Sequence, residues 1–374
     1  MGSLRASPAH VVWRKVRERQ FLSEYGALAC QLVRELPRFG DDELRAALHA
    51  RSARRLPIGE RPGVLVVCAR DWEANGLIQA FSAIGDATFL DKREARSRRG
   101  GLAGACLEAV RSRAKEGRPV ALAFLYVDGR ELAPEAVRAL GELGVWTIAM
   151  CLDDKQLLLD RLPDGSRGGV QRELARAVDV YWTTFRGATD WLASIGARPW
   201  YAAEAADPER FRPVEVPARD IDVLWLGGGY GPRFDFVRAL RGYGLEVQAY
   251  GPGWEHGSVP FDEMIRLYAR SKVVLGLGGV GQGTTISCLK GRDFEVPMCG
   301  AVYLTSYNAE LADHFVIGRE VLCFSSAVDC AETIGWLLRR PGDAQAIREA
   351  ARARSRADHS WTRRVERALA LFRT

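Results

Sequence analysis

Short, wholly apolar runs separated by amphipathic stretches constrain this chain more than any other feature. GVLVVCA (63–69), PVALAFLY (119–126) and VWTIAMCL (145–152) carry no polar face. A strand with one wet side alternates polar and apolar residues, so such runs predict strands covered on both faces of a parallel sheet. Helix-length amphipathic segments lie between them, at about 73–84, Leu102–Lys115 and Pro134–Leu143. Parallel strands need crossovers of that kind. Shorter strands are expected at Thr88–Leu90, Asp179–Thr184 and Pro199–Ala202, with a helix at Ala188–Ile195.

The pattern stops at 207–218, where Pro208, Pro213 and Pro217 mark a linker, and then starts again. Strands are predicted at Asp222–Leu226, Leu245–Tyr250, Lys272–Leu277, Ala301–Thr305 and Glu320–Phe324, with helices at Phe234–Arg241, Phe261–Ala269, Cys330–Arg339, Asp343–Arg356 and Trp361–Phe372. At 374 residues, two α/β domains are expected rather than one. Residues 1–60 read as a helical extension, 61–210 and 211–358 as the two domains. Residues 359–374 form a closing helix that could pack back on the first domain.

Composition narrows the partners. The charge of +6 arises from 53 basic and 47 acidic residues, a mixed surface that gives no case for nucleic acid. The basic runs 51–61 and 93–99 read as solvated edges. The eight cysteines include no C-x-x-C pair, and several lie in apolar strands, so they read as small buried side chains of a reducing compartment. No apolar run reaches the roughly 18 residues a membrane span needs, and the first ten residues lack a signal-peptide core. A cytoplasmic protein is expected.

The chemistry is placed in 284–300, TTISCLKGRDFEVPMCG, which follows an apolar strand and the glycines 276, 278, 279, 281 and 283. Thr284 and Thr285 read as the hydroxyl start of a helix that Pro297 and Gly300 end. Helical spacing then puts Ser287, Gly291 and Glu295 on one face, with Lys290 and Arg292 beside it. Helix N–H groups and two cations suit a diphosphate, and one carboxylate suits a sugar diol. The same stretch also reads as a core helix with a solvated charged edge.

A second glycine loop, GGGYG (227–231), offers Gly228 and Gly229 to a ligand, with Arg233 just beyond. It is not a dinucleotide fingerprint. Pro232 takes the third glycine position, and the next strand ends Gln248-Ala249-Tyr250 without the acid that holds a ribose. An NAD-dependent oxidoreductase is thereby disfavoured, and the absence of G-x-x-x-x-G-K-[ST] disfavours a P-loop NTPase. His256 is a candidate donor contact. The scattered histidines suggest no metal site. Asp71, Glu73, Asp153 and Asp154 follow strands of the first domain and could meet an acceptor hydroxyl, or serve as loop and cap carboxylates.

From about residue 200 the chain resembles the CgeB-like glycosyltransferases, GT-B-fold enzymes related to the group 1 sugar transferases. LGGGYGPR (226–233), YGPGW (250–254), 259–281, LKGRDFEVPMCGAVYLT (289–305) and DHSWTRR (358–364) carry the resemblance, with AEAADPERFRP (203–213) like the segment that joins the domains. It implies two Rossmann-like domains facing a cleft and a nucleotide-diphosphate sugar, UDP-, GDP- or dTDP-linked, held mainly by the second. It also implies a metal-independent, retaining, hexosyltransferase-type transfer to an unknown acceptor, without a further cofactor. Lys290 and Arg292 are the implied diphosphate contacts, with Glu295 as the second acid of Glu-x7-Glu, on the donor ribose. Ser287 stands where that pattern has its first acid, which leaves open a scaffold that binds nucleotide or sugar without turnover. A nucleotide-sugar epimerase is a minor alternative.

Overall fold

The computed structural model describes residues 40–73, 75–152, 154, 171–279 and 287–373. Contacts divide the chain into two units. Of the described residues, one holds 40–203 with 361–373, and the other holds 204–360.

In the first unit, α1 (Asp41–His49) precedes β1 (Gly63–Cys68), α2 (Leu77–Ile84), β2 (Asp86–Asp91), α3 (Lys92–Arg96), α4 (Gly101–Lys115), β3 (Leu122–Leu125), α5 (Pro134–Glu142), β4 (Trp146–Cys151), α6 (Gln171–Ala177), β5 (Val180–Thr183), α7 (Thr189–Ser194) and β6 (Pro199–Tyr201). The strands form one parallel sheet in the order β2-β1-β3-β4-β5-β6. All four residues of β3 and all six of β4 are buried, as runs without a polar face require. Local chemistry sets the helix starts. Asp91 caps α3 by accepting from the Arg93 amide at 2.8 Å, and Pro134 opens α5 where no amide partner is needed.

A buried carboxylate ties the amino ends of this sheet together. Asp179 accepts from Arg51 Nε and Arg55 Nη2, both at 3.1 Å, and from the Thr147 amide at 3.0 Å. The chain's final helix also belongs to this unit. Trp361 is buried with its ring 6.1 Å from Trp72 and 6.3 Å from Trp182, and Phe372 lies 5.2 Å from Trp146. Arg364 Nε donates to the Ala203 carbonyl at 3.1 Å.

The second unit runs β7 (Ile221–Leu226), α8 (Pro232–Gly242), β8 (Val247–Tyr250), α9 (Phe261–Arg270), β9 (Ser271–Gly276), α10 (Arg292–Met298), β10 (Tyr303–Ser306), β11 (Leu322–Phe324), α11 (Ala327–Arg339) and α12 (Pro341–Asp358). The closing helix of the first unit, Trp361–Ala370, is α13. The second sheet is parallel in the order β11-β10-β9-β7-β8. Val223, Trp225, Val273, Leu275, Val302 and Leu304 form its core with Val237 and Leu240 of α8. A parallel bridge pairs Ala206 with Ser360, next to the two points where the chain passes between units.

In each sheet the first strand lies between the second and the third. Crossovers therefore leave in opposite directions from that point, and ligands of such sheets bind beyond the carboxyl ends of the strands there. In the second unit the switch point is β7 beside β9, with the two glycine loops at their carboxyl ends.

Candidate donor site in the second unit

The loop after β7 is fastened to the loop after β8. Gly227 donates to the Tyr250 carbonyl at 2.8 Å, and Gly229 donates to that of Pro252 at 2.7 Å. The Gly227 carbonyl accepts from the indoles of Trp254 at 2.8 Å and Trp225 at 3.2 Å. With φ at +149°, Gly227 sits where other residues are strained, and a Cβ there would collide with the Arg292 guanidinium. The bare glycine lets a charged side chain pack directly on the backbone.

A second arginine reaches the same loop. Pro232 opens α8, and the next residue, Arg233, folds back so that Nη1 donates to the Gly228 carbonyl at 3.0 Å. Its guanidinium lies 4.0 Å over the Tyr230 ring and is only 7% exposed. Burial, with the Arg292 charge nearby, lowers the Arg233 pKa, an effect Tyr230 partly offsets. Two cations thus converge at the carboxyl end of β7. An anion placed there would relieve their mutual repulsion.

The helix expected from Thr284 begins later. Thr284 and Thr285 lie outside the described residues. Ser287 is not helical: it forms an antiparallel bridge with Gly279, and the Cys288 amide donates to the Gly278 carbonyl at 3.1 Å. Ser287, Gly291 and Glu295 therefore do not share a helix face. The helix starts at Arg292, because Asp293 accepts from the Lys290 amide at 2.6 Å and fixes the turn from within. The amides of Asp293, Phe294 and Glu295 close turns onto the Lys290 and Gly291 carbonyls. The start of α10 therefore presents fewer amides to an anion than the sequence suggested.

Arg292 points inward instead of flanking the helix. It lies beside the buried Tyr268 hydroxyl of α9. Burial opposes its charge, but Tyr268, Tyr303, Glu295 and Asp293 outweigh that and raise its pKa. Asp293 is buried, which pushes its pKa up, while the Lys290 amide, the Tyr303 hydroxyl and Arg292 pull the other way. Gly276 ends β9 in a space that the Tyr303 and Thr305 hydroxyls occupy, so no larger residue fits. Burial, with the Glu204 carboxylate facing it, lifts Glu295 to about 7 against the pull of Arg292.

Among the described residues, the partly exposed Lys290 ammonium makes no hydrogen bond or ion pair, and is free to meet a ligand. His256 is exposed and stacks on Tyr250 at 4.6 Å between centroids, in the loop fastened to Gly227. Sequence reasoning missed Tyr268, Tyr303 and Glu204. All three lie in segments quoted for the resemblance, Glu204 in 203–213, Tyr268 in 259–281 and Tyr303 in 289–305, but nothing in their spacing pointed to the site.

The acceptor-side candidates separate. Asp71 is exposed, and both its oxygens meet the Arg93 fork, at 2.7 and 3.1 Å, so it serves a surface ion pair. The Glu73 side chain and all of Asp153 lie outside the described residues. Asp154 is buried near Tyr181, whose pKa burial, Cys151 and Asp154 raise well above the usual value. Lys92 pairs with Glu131 at 2.8 Å and lies 5.2 Å over Tyr126. Among the described residues, no three His, Cys, Asp or Glu side chains are grouped to hold a metal ion, and no helix is long and apolar enough to cross a membrane.

Residues 233–370 match a family model described as glycosyl transferase-like. No curated protein sequence matches the chain. Among solved structures, sucrose-phosphate synthase from Thermosynechococcus elongatus aligns at 12% identity and TM-score 0.51, covering 83% of this chain and 97% of its own. HepE (Alr3699) from Anabaena, solved with UDP and glucose, aligns at 10% identity and TM-score 0.55, covering 83% and 100%. An α-glucosyltransferase solved with UDP and a 13-mer DNA aligns at 12% identity and TM-score 0.56, covering 84% and 100%. The chain has the two-domain α/β fold of the GT-B glycosyltransferases, and its residues 233–370 are similar to the glycosyl transferase-like family.

Proposed function

We propose that the chain transfers a sugar from a nucleoside-diphosphate sugar to an acceptor hydroxyl or other nucleophile. One observation carries this reading: Arg233 and Arg292 converge beneath the glycine loop at the switch point of the second sheet, with Glu295 alongside. The similarity to HepE, solved with UDP and glucose, supports a uridine nucleotide as the first donor to test.

Breaking the bond between sugar and diphosphate leaves a positively charged sugar and an anionic leaving group. Arg292 and Arg233, with Lys290 at the entrance, would stabilise that anion, a contribution on the order of 3 kcal/mol per well-aimed group. Side-chain cations take the role a divalent metal often fills, so transfer should survive chelation. Glu295 would hold the ribose hydroxyls. Retention of anomeric configuration, with the leaving phosphate taking the acceptor proton, fits a site in which no second acid stands at Ser287. The glycosyl unit is proposed to be a hexose, on the resemblance to the CgeB-like enzymes.

Thermal shifts with UDP, GDP, dTDP and NAD, followed by nucleotide release from the matching sugars, test the reading. Stabilisation by one diphosphate is expected, with release abolished by Lys290→Ala and Glu295→Ala in folded protein. Wild-type turnover in both variants overturns the site assignment. Binding without release favours a non-catalytic scaffold, which Ser287 would suit. Stabilisation by NAD alone would favour the oxidoreductase.

A further inference from the structure

Gly291 borders a space that two carboxyl groups share. A Cβ built on it would lie 2.7 Å from Glu295 Oε1 and 3.2 Å from Glu204 Oε2. The two acids are far apart in the second unit's sequence. Glu204 is the first of its described residues, and Glu295 lies on α10. Glu204 is 8% exposed and Glu295 is half-buried, so water screens the pair only in part. Two like charges this close in a partly desolvated space cannot both form without cost, so the pair holds a proton to higher pH than a lone carboxyl would.

We infer that Glu204 is a positioning residue that acts through Glu295: facing it across Gly291, it keeps one proton on the pair and makes nucleotide-sugar binding depend on pH. The inference rests on the donor reading above for its ligand, but the shared proton is a property of the free protein. Among the described residues, the other groups around Glu295 are Arg292 and Asp293 of its own helix, Cys299 just after it and Tyr268 of α9, while α12, packed on α10, brings Arg352 against Gly300. Arg292 opposes retention of the proton. Burial and the Glu204 charge outweigh it, and Glu295 titrates at about 7. Below that pH the pair carries one negative charge beside the anionic nucleotide. Above it the pair carries two, and the second repels the ligand.

Infrared spectra of the free protein, followed across pH, test the proton directly. One protonated carboxyl band should disappear with a midpoint near 7 and be missing in Glu295→Gln. In Glu204→Gln the midpoint should fall. Glu204→Asp, which draws the charge back by one methylene, should lower it by less and keeps the test available if the amide variant misfolds. A Glu204 that only supports the fold would leave the midpoint unmoved, and that result overturns the inference. Binding of UDP-glucose, GDP-mannose or ADP-glucose, whichever is tightest, gives the second readout. Its Kd should rise by up to about tenfold per pH unit above the midpoint, and Glu204→Gln should shift that rise to lower pH. If no nucleotide sugar binds the wild type, the donor reading falls, and the infrared midpoints still decide the pair.

Discussion

The guanidinium of Arg292 occupies the space that Gly227 leaves bare, so a residue at the head of α10 is seated against the loop that ends β7. Adding one carbon at Gly227 forces either the loop or the arginine to move, and φ of +149° penalises the substitution independently. Gly227→Ala should lower stability by about 2 kcal/mol. It should also weaken nucleotide-diphosphate binding at least about tenfold, a loss of roughly 1.4 kcal/mol. Denaturant unfolding and calorimetry measure the two effects. An unchanged Kd would mean that Arg292 is not a ligand contact.

Replacing Arg292 by lysine keeps one charge and loses the planar fork. The Tyr268 hydroxyl then loses the guanidinium that lies beside it in the wild type. Transfer should fall about a hundredfold in kcat/KM, with most of the loss in kcat if the charge acts on the leaving group. A variant that changes only KM would place Arg292 in ground-state binding.

Stability should depend on pH in the direction set by Glu295. Its folded pKa of about 7 lies above the ordinary 4.5. The folded state therefore binds this proton more tightly than the unfolded chain. The contribution is fully present below 4.5, declines as pH rises, and is gone above about 7. The decline is at most about 3 kcal/mol. Urea unfolding between pH 4.5 and 8 measures it, and Glu295→Gln should flatten this part of the profile.

Asp179 is the common partner of Arg51, Arg55 and the Thr147 amide, and is 1% exposed. Asp179→Ala leaves two guanidinium groups without that counter-charge and an amide without an acceptor. A loss of about 3–5 kcal/mol is expected. Because Asp179 belongs to the first unit, nucleotide binding at Arg292 should change little in protein that stays folded. Calorimetry on the folded variant is the check.

Trp361 packs against Trp72 and Trp182, which makes the chain's last helix part of the first unit's core. Trp361→Ala should cost about 3–5 kcal/mol through the cavity it leaves. Ending the chain at Ser360 should destabilise the first unit more than the second. Hydrogen exchange resolved by segment would show this as protection lost first around α2, on which the last helix packs.

The sequence was most informative where the physics is local. Apolar runs without a polar face became the central strands β1, β3 and β4, because a strand buried on both sides has no other pattern available. Pro297 and Gly300 marked the end of α10 correctly: the helix stops at Met298, and Gly300 takes φ of +68°. The helix start was misread. Thr and Ser before a helix are a usual cap, but here Asp293, inside the first turn, captures the Lys290 amide, while Ser287 bridges Gly279.

The sequence alone determined two α/β layers, the two glycine loops at strand ends, and the set of charged residues following the second loop. It could not say which way those charges point. Arg292 turns inward because Tyr268 of α9 offers a partner and Gly227 leaves room, and both residues are distant in the chain. Glu204 meets Glu295 across some ninety positions because the fold returns them to one space beside Gly291. Periodicity records which face of an element is buried. Only the tertiary structure decides which buried charges become neighbours, because Coulomb interaction depends on distance through space and on the water excluded between the groups.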